Sequence, residues 1–558
     1  MQRSSTNEPG SGVLPGSGGM PGSGVLPGDA GVPGGAGSAA ATARNVADLV
    51  RAAAETDPDH PALVETASRR QLSWAELDAA VDAAAEAFAA AGALAGDRVV
   101  VRLAGTVSYC IAVFGVFRAG CVLVPLARRA APRELAEALT STRAKVLVAG
   151  TDDDVGARTA EDAGAVVLPP PDPPDPADRP EPRVTPTTGS EDLAVLAFTS
   201  ATSGTARGVM LSHRALLSNV AQCAQLRPAP VTAADRVLLA LPLFHVYGLG
   251  PGLLQIAAAR ATGVLAGRFD AAEALAAIGR YRVTTVVGVP PMYRAWLKLG
   301  AKRLNEGFRT VRLLTSGAAP LEPALGSAFR DATGLGIFEG YGLTETGPVL
   351  TSTLVGGAPK PGSVGRPIPG VELRLVDADG TPRGYGGGYG GGSGDDLDED
   401  DDATDTGLVA ARGDNLLTGY WPSGEGGPDA DGWFRTGDVG FFDADGDLHL
   451  VDRSSDLIIV NGFNVYPHEV ERALHEHPAI AQAAVVGMPD EETGETVRAV
   501  LVMADGATLS AADLLAHLAL RLARYKIPTV VEVVDELPVT ATGKLARRAL
   551  RTLHGQPL

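Results

Sequence analysis

The chain has 558 residues, well above the roughly 100 to 200 of an ordinary domain, so the sequence predicts at least two domains. Hydrophobic residues make up 45% and charged residues 20%, which is the balance of a globular protein and excludes a disordered or fibrous chain. The formal charge of −19 argues against a nucleic-acid-binding protein, because such proteins bind by neutralising phosphates.

Residues 1–43 predict a disordered arm rich in glycine and proline. The run GSGVLPG occurs twice, at 10–16 and 22–28, and the segment lacks the basic start and apolar centre of a secretory signal. Low-complexity sequence of this kind does not bury enough apolar surface to fold.

Residues 44–452 predict an α/β body with β-sheets flanked by helices. Apolar runs such as 98–103 and 145–150 alternate with Ala-rich amphipathic segments, as in chains that build strands and helices in turn. One helix is predicted to begin after Ser73, because Glu76 follows at the spacing of a capping box.

Two insertions interrupt the body. A Pro-rich stretch at 169–186 predicts a surface linker, and a Gly-rich, acidic stretch at 384–405 predicts a long hairpin loop between two strand-like runs. Residues 395–405 hold eight Asp or Glu and no basic residue, which is typical of a solvated loop.

After a hinge predicted at 453–455, residues 456–553 predict a small, mobile α+β domain. Strand-like runs at 481–489 and 496–504 lie among helix-like segments, and about 100 residues are enough for a domain with its own core. A site between this lobe and the body could open and close.

The segment 192–226 carries the first chemical signal. A strand-like run leads into the loop TSATSGTARG, and a helix capped by Ser212 follows. Backbone N–H groups, hydroxyls and the single cation Arg207 could cradle a phosphate there. The loop does not match GxxxxGK[ST], so on these residues alone an ordinary surface loop remains the alternative.

Further segments follow in a fixed order, and together with this loop they resemble the adenylate-forming superfamily of acyl-CoA synthetases, adenylation domains and luciferases. The resemblance covers about 44–553 and is closest to the fatty acyl-CoA ligases. Its motifs are FTSATSGTARG, LPLFHVYGL at 241–249, SGAAPL at 316–321, GYGLTE at 340–345, WFRTGDVG at 433–440, VDRSSDLIIVNGFNVYPHEVE at 451–471 and LPVTATGK at 537–544.

The resemblance implies catalytic roles for four side chains. Lys544 would screen charge while pyrophosphate leaves, Glu345 would be the magnesium ligand, Thr344 would lie near the α-phosphate, and His245 would act as an aromatic gate. The alternatives are a solvated surface amine for Lys544 and a packed core histidine for His245. The chain has only six lysines beside 41 arginines, and one of the six stands in TATGK.

ATP binding and domain motion are also implied by the resemblance. Asp438 and Arg453 would hold the ribose, Ala318 and Tyr341 the adenine, Gly462 would line the pantetheine tunnel, and Ser455 would be the hinge. A turn aspartate, a core tyrosine and a turn glycine are the alternatives for Asp438, Tyr341 and Gly462. The implied ATP-binding set is Thr199, Ser200, Thr202, Ser203, Gly204, Thr205, Arg207, Gly317, Ala318, Ala319, Tyr341, Gly342, Asp438 and Arg453.

The phosphate loop departs from the family pattern TSGTTGxPKG. Ala201, Ser203, Ala206 and Arg207 stand where the family usually has Gly, Thr, Pro and Lys. Arg207 keeps the positive charge but is larger and forked. Ser455 likewise replaces the usual Asp or Lys at the hinge, so its preferred backbone angles would differ.

The leading hypothesis is an AMP-forming acid–thiol ligase that uses ATP, Mg²⁺ and coenzyme A on a fatty or related acid. No acidic residue lies between Leu238 and Phe269, which disfavours an amino-acid substrate because its ammonium group would be unpaired. The alternatives are an acyl-AMP ligase that loads an acyl carrier protein, and a degenerate AMP-binding module without activity.

Cysteine content and hydropathy predict the compartment. Cys110, Cys121 and Cys223 are far apart and form no CxxC pair, so neither a disulfide framework nor a zinc site is expected. The apolar run 111–127 is interrupted by Arg118, so no transmembrane segment is expected either. These features predict a cytoplasmic protein.

Overall fold

A computed structural model defines the fold. It describes residues 36–174, 184–199, 207–377, 379–383, 406–453, 458–460, 463–465, 467–490, 494–522, 524–539 and 545–558. Within these ranges no helix is both long and apolar enough to cross a bilayer.

The boundary predicted for the N-terminal arm is wrong by several residues. Residues up to 35 lie outside the described part, but Ala36–Thr42 form a helix that packs against three later helices of the body. The segment AGSAAAT is rich in alanine, the best helix former, and Ala40 is buried. Residues 36–42 are therefore helical instead of belonging to a disordered arm.

Helices and strands alternate through the body, as the sequence predicts. In chain order the α-helices are α1 (Ala36–Thr42), α2 (Asp48–Thr56), α3 (Trp74–Ala90), α4 (Val107–Arg118), α5 (Pro132–Thr142), α6 (Asp154–Asp162), α7 (His213–Ala224), α8 (Gln255–Ala259), α9 (Ala271–Tyr281), α10 (Pro290–Leu297), α11 (Ala301–Gly307) and α12 (Pro323–Thr333). The strands are β1 (Pro61–Glu65), β2 (Gln71–Ser73), β3 (Arg98–Arg102), β4 (Val122–Pro125), β5 (Val146–Ala149), β6 (Val166–Leu168), β7 (Leu193–Thr199), β8 (Arg207–Ser212), β9 (Arg236–Leu239), β10 (Thr262–Leu265), β11 (Thr285–Gly288), β12 (Leu313–Ser316), β13 (Ile337–Gly342), β14 (Val349–Ser352), β15 (Arg366–Pro367), β16 (Glu372–Val376), β17 (Gly407–Arg412), β18 (Gly419–Trp421), β19 (Phe434–Phe442) and β20 (Leu448–Arg453).

A nine-stranded sheet runs in the order β15-β14-β13-β12-β11-β9-β10-β1-β2. Strands β9 to β13 are parallel to their neighbours within this group, so their carboxyl ends meet at one edge. The segment LPLFHVYGL follows β9, SGAAPL begins at the end of β12, and GYGLTE begins within β13. Loops at the carboxyl edge of a parallel sheet are the usual place for a ligand site.

A seven-stranded sheet runs in the order β18-β8-β7-β4-β3-β5-β6. Its strands β3 to β6 are joined by α4, α5 and α6 and pair in parallel, as expected for right-handed βαβ units. The phosphate loop joins the antiparallel strands β7 and β8. The helix α7 then follows β8 and is capped by the Ser212 side chain, which accepts from the N–H of Ala215.

The predicted order of strand, loop and helix at 192–226 is therefore incomplete. A second strand, β8, lies between the loop and α7. Its residues Val209 and Leu211 are buried and pair with β7, so this short apolar run forms the return strand of a hairpin.

A four-stranded antiparallel sheet runs in the order β16-β17-β19-β20. Strands β16 and β17 flank the acidic insertion and pair with each other, as a hairpin requires, whereas residues 384–405 lie outside the described part. The Lys360 ammonium is bonded to the carboxylates of Asp443, Asp445 and Asp447 at 2.6 to 2.9 Å. This contact ties the turn between β19 and β20 to the body.

The C-terminal residues have a hydrophobic core of their own, which includes Ile458, Val470, Val485 and Leu514. The predicted α/β body with a small α+β C-terminal domain is thus confirmed, while the hinge and the mobility of the lobe stay predictions. The elements are β21 (Ile458–Val460), β22 (Phe463–Val465), α13 (Pro467–His475), β23 (Ile480–Asp490), β24 (Gly494–Met503), α14 (Ala511–Ala519), β25 (Val530–Val533), α15 (Arg547–Leu550) and β26 (Gln556–Pro557).

Candidate active site

Two of the predicted nucleotide residues meet across the boundary of two sheets. The hydroxyl of Tyr341, on β13, donates a hydrogen bond to Oδ2 of Asp438, on β19, at 2.6 Å. Both side chains are buried. On the neighbouring strand, the backbone of Arg453 lies directly opposite Asp438. The residues expected at adenine and ribose are therefore brought together by the fold.

The SGAAPL segment has an unusual backbone at the end of β12. Ala318 has a φ of +65°, a conformation that costs free energy for a residue with a side chain. Gly317 is buried, and a Cβ built on it would lie 3.0 Å from the ring of Tyr247. Tyr247 belongs to the LPLFHVYGL segment, so the gate and adenine motifs are in contact here.

His245 lies where the chain enters the π-helix Gly248–Leu254. Its ring nitrogen Nδ1 accepts a hydrogen bond from the N–H of Tyr247 at 3.2 Å. The His245 side chain is half-buried. Burial raises the pKa of Tyr247 to about 12, and a hydrogen bond with Thr315 opposes that shift only in part. A phenol is neutral at physiological pH with or without this shift, and the raised pKa makes ionisation of Tyr247 still less favourable.

The LTE segment forms a short 3₁₀ turn, Thr344–Thr346. The carbonyl of Glu345 accepts from the N–H of Leu417 at 2.8 Å, and its side-chain Oε1 accepts from the hydroxyl of Tyr420 at 3.0 Å. The amide of Asn415 donates to the carbonyl of Thr346 at 2.7 Å. Residues 415–420, which lead into and begin β18, therefore hold this turn in place through backbone and side-chain hydrogen bonds.

A buried amide holds the other end of the same turn. The Nδ2 group of Asn219, on α7, donates to the carbonyl of Val349 at 2.7 Å, and its Oδ1 accepts from the N–H of Val349 at 3.1 Å. Such a two-point bond fixes the backbone position of the strand that follows the LTE turn. Sequence reasoning missed Asn219, because a lone polar residue in an amphipathic helix gives no sign of its partner.

Two residues at the base of the phosphate loop are described. Thr199 and Arg207 face each other where β7 and β8 pair, and the Thr199 hydroxyl donates to the Arg207 carbonyl at 3.4 Å. The guanidinium of Arg207 lies over the ring of Tyr420, 3.6 Å from its centre. The loop itself, residues 200–206, lies outside the described part.

Glu339 is a further buried acid that the sequence did not single out. It lies two residues before Tyr341, on the same face of β13, and its Oε1 accepts from the N–H of Leu321 at 3.0 Å. Burial raises the pKa of Glu339 to about 8, so its carboxyl group is protonated at neutral pH. The alternation of side chains along a strand was the signal that could have placed it beside Tyr341.

The structure assigns positions to only part of the predicted site. It brings together the residues of the gate, adenine, ribose and LTE motifs, and it places Gly342 and Ala319 in the same segments. The roles of all the predicted site residues stay predictions, and eight of these residues also lie outside the described part: Ser200, Thr202, Ser203, Gly204, Thr205, Ser455, Gly462 and Lys544.

Two family models match the chain. Residues 50–421 match the AMP-binding enzyme model, and residues 469–544 match the model of the AMP-binding enzyme C-terminal domain. The chain belongs to the AMP-binding enzyme family. The resemblance drawn from the motifs is thereby confirmed.

Curated relatives of this AMP-binding enzyme include acid–CoA ligases of several kinds. The chain is 36% identical to feruloyl-CoA synthase of Amycolatopsis sp over 87% of its length and 94% of the relative. It is 32% identical to a long-chain-fatty-acid–CoA ligase of Yersinia pestis over 82% of its length and 85% of the relative. The predicted enzyme class, an AMP-forming acid–thiol ligase, is confirmed by these relatives.

Solved structures of AMP-binding enzymes share the fold. ATP-bound MatB from Rhodopseudomonas palustris has a TM-score of 0.81 and 32% identity, covering 91% of this chain and 98% of that one. o-Succinylbenzoate CoA synthetase from Bacillus subtilis, in complex with an acyl-adenylate, has a TM-score of 0.78 and 28% identity, covering 92% and 99%.

Proposed function

We propose that this AMP-binding enzyme activates an apolar carboxylic acid with ATP and transfers the acyl group to coenzyme A. The observation that carries the proposal is the bond between Tyr341 and Asp438, taken together with the positive φ of Ala318. It supports a preformed pocket for adenine and ribose at the carboxyl edge of the nine-stranded sheet.

The first step joins a carboxylate oxygen of the acid to the α-phosphorus of ATP and releases pyrophosphate. Asp438 and Arg453 would orient the ribose, and Lys544 would neutralise charge on the transferring phosphoryl group. In the second step the sulfur of coenzyme A attacks the acyl carbonyl carbon, and AMP leaves. Gly462 would give the pantetheine arm room to reach that carbon.

Glu345 fits a magnesium ion by the chemistry of its donor atoms. Magnesium prefers hard oxygen ligands, and Tyr420 bonds to only one of the two carboxylate oxygens. Oε2 of Glu345 would therefore be the ligand atom, and the ion would neutralise phosphate charge when bound. Thr344, one residue earlier, would bond to the α-phosphate through its hydroxyl.

The substrate we propose is an acid without an amine, either a fatty acid or an aryl acid. The segment from Leu238 to Phe269 carries no acidic side chain, so an α-ammonium group would be left unpaired in the pocket. Relatives named for ferulate, coumarate and long-chain fatty acids lie at similar identity. Because these relatives are CoA ligases, coenzyme A is favoured over a carrier protein as the acceptor.

Pyrophosphate release from MgATP tests the proposal across short-, medium- and long-chain fatty acids and aryl acids, with and without coenzyme A. We expect turnover only when coenzyme A and an apolar acid are both present. A single burst of pyrophosphate that is not followed by turnover when coenzyme A is present would contradict the proposed acceptor. No pyrophosphate release with any acid would contradict the activity itself.

The role of Lys544 is tested in the same assay. Lys544→Ala should slow adenylation by orders of magnitude without unfolding the protein, because removing one preformed charge contact typically costs roughly a hundredfold or more. Lys298→Ala is the matched control, since Lys298 is an exposed lysine at the end of α10. Equal rates for both variants would refute the assigned role.

A further inference from the structure

Tyr420 contacts two residues of the proposed ATP site at once. Its hydroxyl bonds to Oε1 of Glu345 at 3.0 Å, and its ring lies under the guanidinium of Arg207 at 3.6 Å. Tyr420 itself is anchored in β18, where it pairs with Val209 of β8. One side chain therefore connects the LTE turn to the base of the phosphate loop.

We propose that Tyr420 is a positioning residue, which orients the Glu345 carboxylate for magnesium and the Arg207 guanidinium for the phosphates of ATP. This role rests on the proposed function, because it presumes that Glu345 and Arg207 face a magnesium–nucleotide complex.

The hydrogen bond restricts the Glu345 side chain. A glutamate side chain has several rotatable bonds, and ordering it costs conformational entropy. The N–H of Leu417 already fixes the backbone of Glu345. Tyr420 lies three residues after Leu417, and its hydroxyl fixes the Glu345 carboxylate. The cost of ordering is therefore met during folding rather than when the nucleotide binds.

The stacked pair explains how an arginine serves where the family usually has lysine. A planar guanidinium stacks on an aromatic ring better than an ammonium does. Gly426 lies close to both members of the pair: it has a φ of +73°, and a Cβ built on it would lie 3.0 Å from the Tyr420 ring and 3.2 Å from Arg207. The backbone at Gly426 thus packs against both groups and limits their movement.

A purely structural role is the competing explanation, because Tyr420 also packs within the seven-stranded sheet. Two substitutions separate the explanations. Tyr420→Phe keeps the ring and its stacking with Arg207 but removes the bond to Glu345. Tyr420→Leu removes both contacts.

The test is calorimetric binding of a non-hydrolysable ATP analogue, measured once with Mg²⁺ and once with EDTA. Tyr420→Phe should bind the magnesium complex about three- to tenfold more weakly, the value of one hydrogen bond, and the metal-free analogue as tightly as wild type. Tyr420→Leu should bind both forms more weakly, because Arg207 loses its stacking partner. Tyr281→Phe, a half-buried tyrosine on α9, is the control and should match wild type.

Each outcome has one meaning. Equal loss with Mg²⁺ and with EDTA in Tyr420→Phe, or no loss at all, would overturn the positioning role while leaving the proposed function intact. If wild type bound no analogue in either condition, the proposed function would fail, and this role with it. Thermal unfolding of each variant accompanies the titrations, so that a loss of fold is recognised separately.

Discussion

The hydroxyl of Tyr341 and the carboxylate of Asp438 are joined by a 2.6 Å hydrogen bond. Tyr341 lies on the nine-stranded sheet and Asp438 on the four-stranded sheet, so the bond holds the two walls of the proposed nucleotide pocket together. Because Asp438 has a second carboxylate oxygen, it can accept from Tyr341 and from a ribose hydroxyl at the same time.

Tyr341→Phe should weaken ATP binding less than Asp438→Ala does. Removing the carboxylate deletes the proposed ribose contact itself, which would be worth about 1.5–3 kcal/mol or roughly ten- to a hundredfold in the KM for ATP. Removing the tyrosine hydroxyl only loosens that carboxylate. Steady-state kinetics of the two single variants and the double variant measure the difference. If the single effects simply multiply in the double variant, the two side chains do not act together.

The sequence predicted the segments of this pocket but not how they meet. Motif order placed Tyr341, Asp438 and Glu345 in the site, and the parallel pairing of β9 to β13 explains why the segments LPLFHVYGL, SGAAPL and GYGLTE share an edge. Asp438 comes instead from β19 of the four-stranded sheet. Tyr420 was not predicted, since its partner Glu345 lies 75 residues earlier and no local pattern reports a contact at that distance. Strand β8 was missed for a different reason, because its apolar run is only three residues long, at 209–211, and fits a loop, a strand or a helix start equally well.

Glu339 should make the fold less stable as the pH rises. Its pKa is raised to about 8 by burial, from 4.5 in the unfolded chain. Between these values the unfolded chain binds fewer protons than the folded one, so stability falls with increasing pH by roughly 1 kcal/mol per pH unit. Glu339→Gln cannot ionise and should remove this slope.

Urea unfolding at pH 5 and pH 8 measures the slope attributed to Glu339. The free energy of unfolding of Glu339→Gln should exceed that of wild type by more at pH 8 than at pH 5. Glu322→Gln is the control, because the Glu322 side chain is 58% exposed and only pairs with Arg294. If this difference in unfolding free energy did not change with pH, a protonated Glu339 in the folded protein would be contradicted.

Arg118 should be among the most destabilising positions to change. Its side chain is 1% exposed and pairs with Asp78 at 2.8 Å and with Asp82, two acids of α3 that are almost completely buried. Arg118→Met would leave buried carboxylates short of a counter-charge, which typically costs about 3–5 kcal/mol. Arg51 would still contact both acids, so we expect the loss of stability to lie near the lower end of this range.

A matched surface pair gives the comparison for Arg118. Arg133 pairs with Glu137 one helical turn away, and its side chain is 89% exposed, so Arg133→Met should leave the unfolding midpoint unchanged. Chemical denaturation of the two variants is the measurement. Similar midpoints for both would mean that the buried pairs contribute no more than a solvated one.

Gly317 should be intolerant of even a methyl group, because of Tyr247. A Cβ at Gly317 would lie 3.0 Å from the Tyr247 ring, closer than such atoms normally pack, and the half-buried ring would have to shift. A displacement of this kind beside the reacting groups should lower kcat/KM for the acid on the order of tenfold in Gly317→Ala. Gly326→Ala is the control, since its Cβ would meet only the Leu321 side chain at 3.7 Å, and alanine favours the helix α12. Wild-type kinetics in Gly317→Ala across the acid panel would show that contact with Gly317 does not set the position of Tyr247.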